Sequence, residues 1–343
     1  MEKLVKYNKG EWCEIYVFLK GLVDGKFQLM DKYENSLDSY HLVYEIFKKT
    51  YNNTKEIGFK PREKDKDLYI FAMNNLFSKI IESNETTFNI PSMEKFAFEQ
   101  DFSLSKGNSY EKGDLKASIK FDKIFYPEVL YSVKSKINSS ATLLNASTAT
   151  NFEYQVTNLK NEDIKCINNI NTKTKLRDRI YKIKELGGKI KFLDVANETF
   201  SCNLDYIDGH LKLILSEILL ISYYSHSKKI SDLVGILECN NILNANLVQY
   251  PRFYKDKIIK FLLEITFNMM PSTPMNSSSN MVFGGILYVY KNGEVFLVDN
   301  LSYKHLGEYL FDNLKLDTPS STRYNMLNIK DDKFTLNLQI RFI

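Results

Sequence analysis

The sequence predicts a mixed α/β (α+β) protein, with helices flanking a central mixed β-sheet. Three observations carry that prediction. Apolar stripes of helical period alternate along the chain with short runs of period two. The dipeptide Asn292-Gly293 stands between two β-rich runs, 282–290 and 295–298, which is a strong hairpin signal. The chain ends on 334–342, where Phe334, Leu336, Leu338, Ile340 and Phe342 alternate with Thr335, Asn337, Gln339 and Arg341, as a half-buried strand does.

The elements follow in order. Residues 8–22 read as a helix, because Trp12, Ile15, Phe18, Leu19 and Leu22 share one stripe and Gly21 and Gly25 punctuate its end. Residues 38–56 and 67–83 also carry helical patterns, separated by the charged loop 60–66 with Pro61. The Gly-, Ser- and Asn-rich stretch 105–114 is a turn, and 115–121 and 129–135 are two strands joined through Pro127. Residues 162–200 are polar and Lys-rich and predict helices with exposed faces, whereas 209–224 and 256–268 are amphipathic helices with strong apolar faces. The Pro/Ser/Asn-rich segment 270–280 is a loop, a helix is expected near 301–315, and 318–323 is a polar loop. No internal repeat or linker interrupts the chain. Three regions are expected within one compact unit: 1–165, 166–270 (mainly helical) and an α+β part, 271–343.

Composition excludes several classes. In 343 residues, 44% hydrophobic and 26% charged, there is neither a disordered nor a collagen-like signature. A net charge of +4 permits an anionic partner without demanding one. Cys13, Cys166, Cys202 and Cys239 lie far apart with no C-x-x-C pair, which argues against structural zinc and a disulfide framework. The opening Met1-Glu2-Lys3-Leu4-Val5-Lys6 lacks an apolar core, and 211–224 is too short and too polar to span a bilayer. The expectation is a cytoplasmic protein with no membrane partner. Basic residues are mostly Lys, so the few arginines at 62, 177, 179, 252, 323 and 341 carry more meaning.

Phosphate-loop, dinucleotide, zincin and serine-hydrolase motifs are absent, which leaves carboxylates and lysine for any chemistry. Asp114 opens a strand, and Ser132-Val133-Lys134 lies in the next, with Ser132 and Lys134 on one face. A metal-dependent phosphodiesterase needs this layout: a carboxylate to hold Mg²⁺ and a lysine to reach the attacking water. The plainer alternative makes Asp114 a turn cap and Lys134 a solvated lysine. On the first helix, Glu11 projects about 40° from the centre of the apolar stripe and Glu14 lies on its margin. Either glutamate supplies the acid missing at position 132, or Glu11 simply favours the helix dipole in the first turn. The run 138–152 is dense in hydroxyl and amide groups that suit phosphates and base edges, or equally an ordinary loop with local bonds.

Those blocks resemble a known family. The opening Asn8-Lys9-Gly10-Glu11-Trp12-Cys13-Glu14-Ile15-Tyr16-Val17-Phe18-Leu19-Lys20, the block Tyr131-Ser132-Val133-Lys134-Ser135 with Thr142-Leu143-Leu144-Asn145-Ala146-Ser147 and Thr150-Asn151-Phe152, and the endings Tyr309-Leu310-Phe311, Thr318-Pro319-Ser320-Ser321-Thr322-Arg323 and Leu336-Asn337-Leu338-Gln339-Ile340-Arg341-Phe342 are similar to the HpaII family of type II restriction endonucleases. The matches keep their order and span nearly the whole chain.

The resemblance implies a restriction-endonuclease-like core of the P-D…(D/E)-x-K superfamily. It implies Mg²⁺-dependent double-strand cleavage of DNA at a short site, CCGG for the family's namesake, with a cognate DNA methyltransferase as functional partner. By that resemblance Asp114, Lys134, Ser132, Glu14 and Glu11 form the catalytic set, with Asp114, Glu14 and Glu11 on the metal. Two departures stand out: Cys13 where Ser is expected, and a poor match over 270–283 until Gly284-Gly285, which leaves the recognition sequence open. DNA contacts are expected from Ser135, Asn145, Ser147, Thr150, Asn151, Arg323, Gln339 and Arg341, of which Arg323 could fork onto guanine or grip a phosphate. The alternative is a non-cleaving, sequence-specific DNA-binding protein on the same fold, since Ser132 lacks a carboxylate. A homodimer on DNA and successive cuts by a monomer both stay open.

Overall fold

The computed structural model describes residues 6–51, 55–104, 113–137, 141–275, 282–302 and 305–343. In chain order the first elements are β1 (Tyr7–Asn8), α1 (Lys9–Asp24), β2 (Lys26–Met30), β3 (Ser36–Lys49), β4 (Glu56–Phe59), α2 (Lys66–Glu82), β5 (Thr87–Phe88) and α3 (Pro91–Glu99). Next come β6 (Leu115–Phe121), β7 (Ile124–Ser135), β8 (Thr142–Leu144), a 3₁₀ turn (Thr148–Thr150) and β9 (Asn151–Thr157). The middle holds α4 (Asn161–Asn168), α5 (Lys175–Glu185), β10 (Lys189–Val195), α6 (Glu198–Ile207), α7 (Leu211–Tyr224), α8 (Ile230–Asn240) and α9 (Phe253–Phe267). The chain closes with β11 (Val282–Val289), β12 (Val295–Asp299), α10 (His305–Asn313), β13 (Leu314–Leu316), β14 (Lys333–Asn337) and β15 (Ile340–Phe342). The expected mixed α+β class is therefore observed. The chain gathers into two compact units, 1–141 with 278–309, and 142–277 with 310–343.

The first unit is built on a seven-stranded sheet, β2-β12-β11-β7-β6-β3-β4, in which β2 also pairs with β3. Six strands thus close a ring, with β11–β7 and β12–β2 parallel and the other pairs antiparallel. Helix α1 begins on a capping box, Asn8 with Glu11, and ends at Gly25, whose φ of 67° favours a residue without a Cβ. Its apolar face, from Trp12 to Val23, joins one core with Tyr131 and Val133 of β7, Leu115 and Ala117 of β6, and Leu287 and Val289 of β11. The indole N–H of Trp12 donates to the Phe88 carbonyl at 3.2 Å, so the buried polar atom is satisfied.

The second unit holds two three-stranded sheets, β10-β9-β14 and β13-β15-β8, with helices α4 to α9. Helix α7 is buried on almost every side, and the Tyr154 hydroxyl donates to its Ser216 carbonyl at 2.9 Å. Arg179 is buried as well, donating to the carbonyls of Asn168, Ile170 and Leu327. That arginine is structural.

Four expectations need correction. Residues 38–56 are not a helix: β3 covers Ser36–Lys49, with His41 and Val43 inward and Tyr40, Leu42 and Tyr44 exposed. Apolar residues on both faces blur the period-two signal and leave a pattern that also fits a helix. Pro127 does not separate two elements but lies inside β7, opposite a register shift between Ala117 and Ile119 that absorbs its missing donor. The polar stretch 162–200 contains β10 besides helices. The terminal strand breaks into β14 and β15, which belong to different sheets, and Asn337, the last residue of β14, is fully buried. The expected turn at 105–114 lies mostly outside the described residues.

Candidate active site

Strands β6 and β7 form the antiparallel hairpin that the sequence implied, with Leu115 opposite Tyr131. One step earlier, the Asp114 N–H donates to the Tyr131 carbonyl at 2.8 Å. This register aims the carboxylate at the next residues of β7. Asp114 Oδ2 accepts from Ser132 Oγ at 3.1 Å and from Val133 N–H at 2.7 Å, while Oδ1 takes no hydrogen bond among the described residues. Hydrogen bonds to an ionised carboxylate are among the stronger kind, so Asp114 is held in one orientation with a free lone-pair edge. Alternation along β7 puts Lys134 on the same face as Ser132. Both Asp114 and Lys134 are half-buried, so each reaches solvent from a fixed base.

The helix glutamates are placed differently. Helix α1 packs on the Tyr131 and Val133 side of β7, the face opposite Ser132 and Lys134. Glu11 Oε2 accepts the Asn8 N–H at 2.6 Å and closes the capping box. Glu14 lies near Lys48 of β3, whose ammonium stands 5.7 Å from the centroid of Phe18. Burial drives the Lys48 pKa down to about 8, although Glu14 and Glu56 oppose the shift. Among the described residues no three His, Cys, Asp or Glu side chains form a ready metal cluster. A hard cation that keeps several waters and takes one or two carboxylates plus a substrate phosphate still fits the open edge of Asp114.

The expected DNA contacts fall into two groups. Ser147, Thr150 and Asn151 form an internal network with Asn337: its Nδ2 donates to Ser147 O at 2.6 Å and Asn151 Oδ1 at 2.7 Å, and Thr150 Oγ1 donates to Ser147 O at 3.1 Å. Ser135 is a hydrogen-bond partner of Cys13, whose thiol pKa burial pushes up to about 11. Arg341 pairs with Asp317 at 3.1 Å. Asn145 and Arg323 are exposed, and Gln339 is half-buried.

Sequence reading missed what stands behind Tyr131. Its hydroxyl lies 2.7 Å from His41 Nδ1, and His41 Nε2 lies 3.0 Å from Asp299 Oδ1. Asp299 also accepts from Leu301 N at 2.8 Å, Ser302 N at 2.6 Å and the Ser302 hydroxyl. All three linked side chains are buried, so β3, β7 and the end of β12 meet at the residue preceding Ser132. Gly284 makes room: a Cβ there would stand 2.4 Å from Tyr131 Cε1. The signal was present in Gly284-Gly285, but only the register shift between Phe283 and Gly285 shows its purpose.

Comparison with known proteins gives the class. The chain is 30% identical over 364 aligned positions to the type II restriction enzyme HpaII of Haemophilus parainfluenzae, covering 100% of both chains. That full-length likeness defines a type II restriction endonuclease, a site-specific deoxyribonuclease. A family model described as HpaII restriction endonuclease matches residues 8–342, and the chain belongs to that family. No solved structure matches it. Among the described residues no helix is long and apolar enough to cross a membrane.

Proposed function

We propose that this chain makes Mg²⁺-dependent double-strand cuts in duplex DNA at a short specific sequence. The observation that carries the reading is the β6–β7 register, which bonds Asp114 to Ser132 and to the backbone of Val133 and sets Lys134 on the same face. Asp114 would hold the metal through its open oxygen, since Glu11 is engaged in its cap and the helix that carries Glu14 packs against the other face of β7. Mg²⁺, when bound, neutralises charge that builds on the scissile phosphate. Ser132 keeps the Asp114 carboxylate turned toward the phosphate, in place of a second acid. Lys134 presents its ammonium to a phosphate oxygen and to the attacking water, where a fixed cation lowers the cost of developing negative charge.

The recognition sequence is CCGG in the simplest reading, with Arg323, Asn145, Gln339 and Arg341 nearest to the DNA. A cognate methyltransferase protecting the same site, a cytoplasmic location and either a dimer or a monomer acting twice complete the proposal. The test is incubation of the purified protein with unmethylated phage DNA, with Mg²⁺ or with EDTA, followed by sequencing of fragment ends. Discrete Mg²⁺-dependent ends sharing one short sequence are expected. Asp114→Ala and Lys134→Ala should each abolish cutting yet bind the same site in Ca²⁺. Normal cutting by either of the first two variants overturns the site. Intact DNA in every tube, with specific binding retained, would favour a non-cleaving binder.

A further inference from the structure

The second unit carries a cleft of about 360 Å³ between the start of α5, the end of α7 and the loop at 318–321. Lys173, Lys175, Arg177 and Lys228 line it, together with hydroxyls that include Thr318 and Ser321, and no carboxylate is among its lining residues. Three half-buried lysines elsewhere in this unit are matched by acids: Lys182 with Glu185, Lys212 with Asp205, Lys257 with Asp208. None of the four cleft cations makes an ion pair among the described residues. The nearby acids are engaged, Asp178 by the Thr172 and Thr174 hydroxyls and Asp317 by Arg341.

Lys228 shows most clearly what the cleft lacks. Its ammonium sits 4.6 Å from the Tyr223 ring centroid and donates to Thr318 Oγ1 at 2.8 Å. Burial lowers its pKa; Asp317 opposes the shift and Arg177 adds to it, and burial prevails. A desolvated cation gains most from an anion that reaches it. The first turn of α5 opens on the same cleft, and its preceding Thr174 gives its hydroxyl to Asp178 and not to the helix N–H groups. Those groups and the four cations suit a polyanion with several charges in a row.

We infer that this cleft, in the unit that does not contain the Asp114 hairpin, grips the phosphodiester backbone of duplex DNA. The inference rests on the reading that the chain acts on duplex DNA. Such a contact reads no bases: it fixes register on the duplex and supplies salt-dependent affinity.

The test measures binding of full-length protein to two 30-base-pair duplexes in Ca²⁺ over a salt series, one carrying the cut site and one not. Lys173→Gln/Lys175→Gln should weaken both duplexes by the same factor, at least about tenfold at low salt, and flatten the salt slope by about 2. A control, Lys182→Ala/Lys257→Ala, changes net charge equally but removes lysines already paired with acids, and should leave the slope in place. Unchanged binding by the cleft variant, beside a wild type that binds, overturns the cleft alone. An equal effect from the control reduces it to net charge and also overturns it. A wild type with no salt-sensitive affinity for either duplex overturns the DNA reading itself.

Discussion

Replacing Gly284 with alanine should disturb the site without touching any residue that could meet DNA. The new Cβ would lie 2.4 Å from Tyr131 Cε1, 2.6 Å from Cζ and 2.5 Å from Val129 Cγ1. Ordinary carbon contacts fall at roughly 3.5–4.0 Å, so something must give by about an ångström. Tyr131 has no room to give: it is fully buried, its ring centroid is 5.3 Å from that of Phe27, and its hydroxyl is 2.7 Å from His41 Nδ1. The glycine is pinned as well, because its carbonyl accepts Asn300 N–H at 2.9 Å. Overpacking of this kind costs about 1–3 kcal/mol. If the ring swings away from His41, the buried bond left unmade costs roughly another 1–3 kcal/mol. We expect a loss of about 2–5 kcal/mol in urea unfolding at 25 °C. Cutting should slow by more than the fraction unfolded explains, since the Tyr131 carbonyl holds the Asp114 N–H and Ser132 follows it. Tyr131→Leu combined with Gly284→Ala should recover part of the stability by yielding the space. A Gly284→Ala protein within about 0.5 kcal/mol of wild type, cutting at the wild-type rate, would refute the packing argument.

Arg323→Ala should weaken specific binding by roughly 1–3 kcal/mol if it reads a base, measured against a duplex lacking the site; an equal loss on both duplexes would mark a phosphate contact. Three thiols, Cys166, Cys202 and Cys239, should react with a disulfide reagent in the native protein at pH 8, and Cys13 only after unfolding, because it is buried with a pKa near 11. Four rapid native thiols would contradict its placement. Burial raises the Asp299 pKa, but the bonds from His41, Ser302 and Leu301 outweigh it and leave the carboxyl below its usual range. The folded protein therefore binds this proton less readily than the unfolded chain, so the stabilisation is full above about pH 4 and fades as acid titrates the folded group. Urea titrations from pH 6 to 3 should show the gap between wild type and Asp299→Asn closing below that point; a constant gap would count against the relay.

How legible the fold was depended on whether one face of an element was clean. Helix α1 was readable because its caps and its apolar stripe agree, and the β11–β12 hairpin because Asn292-Gly293 demands a left-handed turn, with Gly293 at a φ of 85°. Strand β3 was misread because it buries His41 while exposing Tyr40, Leu42 and Tyr44, the reverse of what residue polarity suggests. The chain's end was read as one strand because alternation persists across 334–342, and alternation cannot report that the ladder partner changes from β9 to β15's neighbours at a buried asparagine. Asn337 could be placed only once Ser147 and Asn151 were known to receive its amide.

The same limit explains which part of the site the sequence exposed. Asp114, Ser132 and Lys134 lie within one hairpin, so local spacing already sets their relation, and the register makes it concrete. The His41, Tyr131 and Asp299 relay joins residues 90 or more positions apart, each unremarkable in its own segment. Burying an acid and an imidazole together is costly unless each finds partners, and here every partner lies next to the hairpin of the candidate site or the glycine pair that shapes it. A chain seeking stability alone could fill that space with hydrocarbon of similar volume at no greater cost. What hydrocarbon cannot do is fix the rotation of Tyr131, and with it the carbonyl that positions Asp114 one ladder step away. For a candidate site with one well-held carboxylate and a serine in place of the second acid, that orientation is where precision counts, because among the described residues of the hairpin no acid neighbours Asp114.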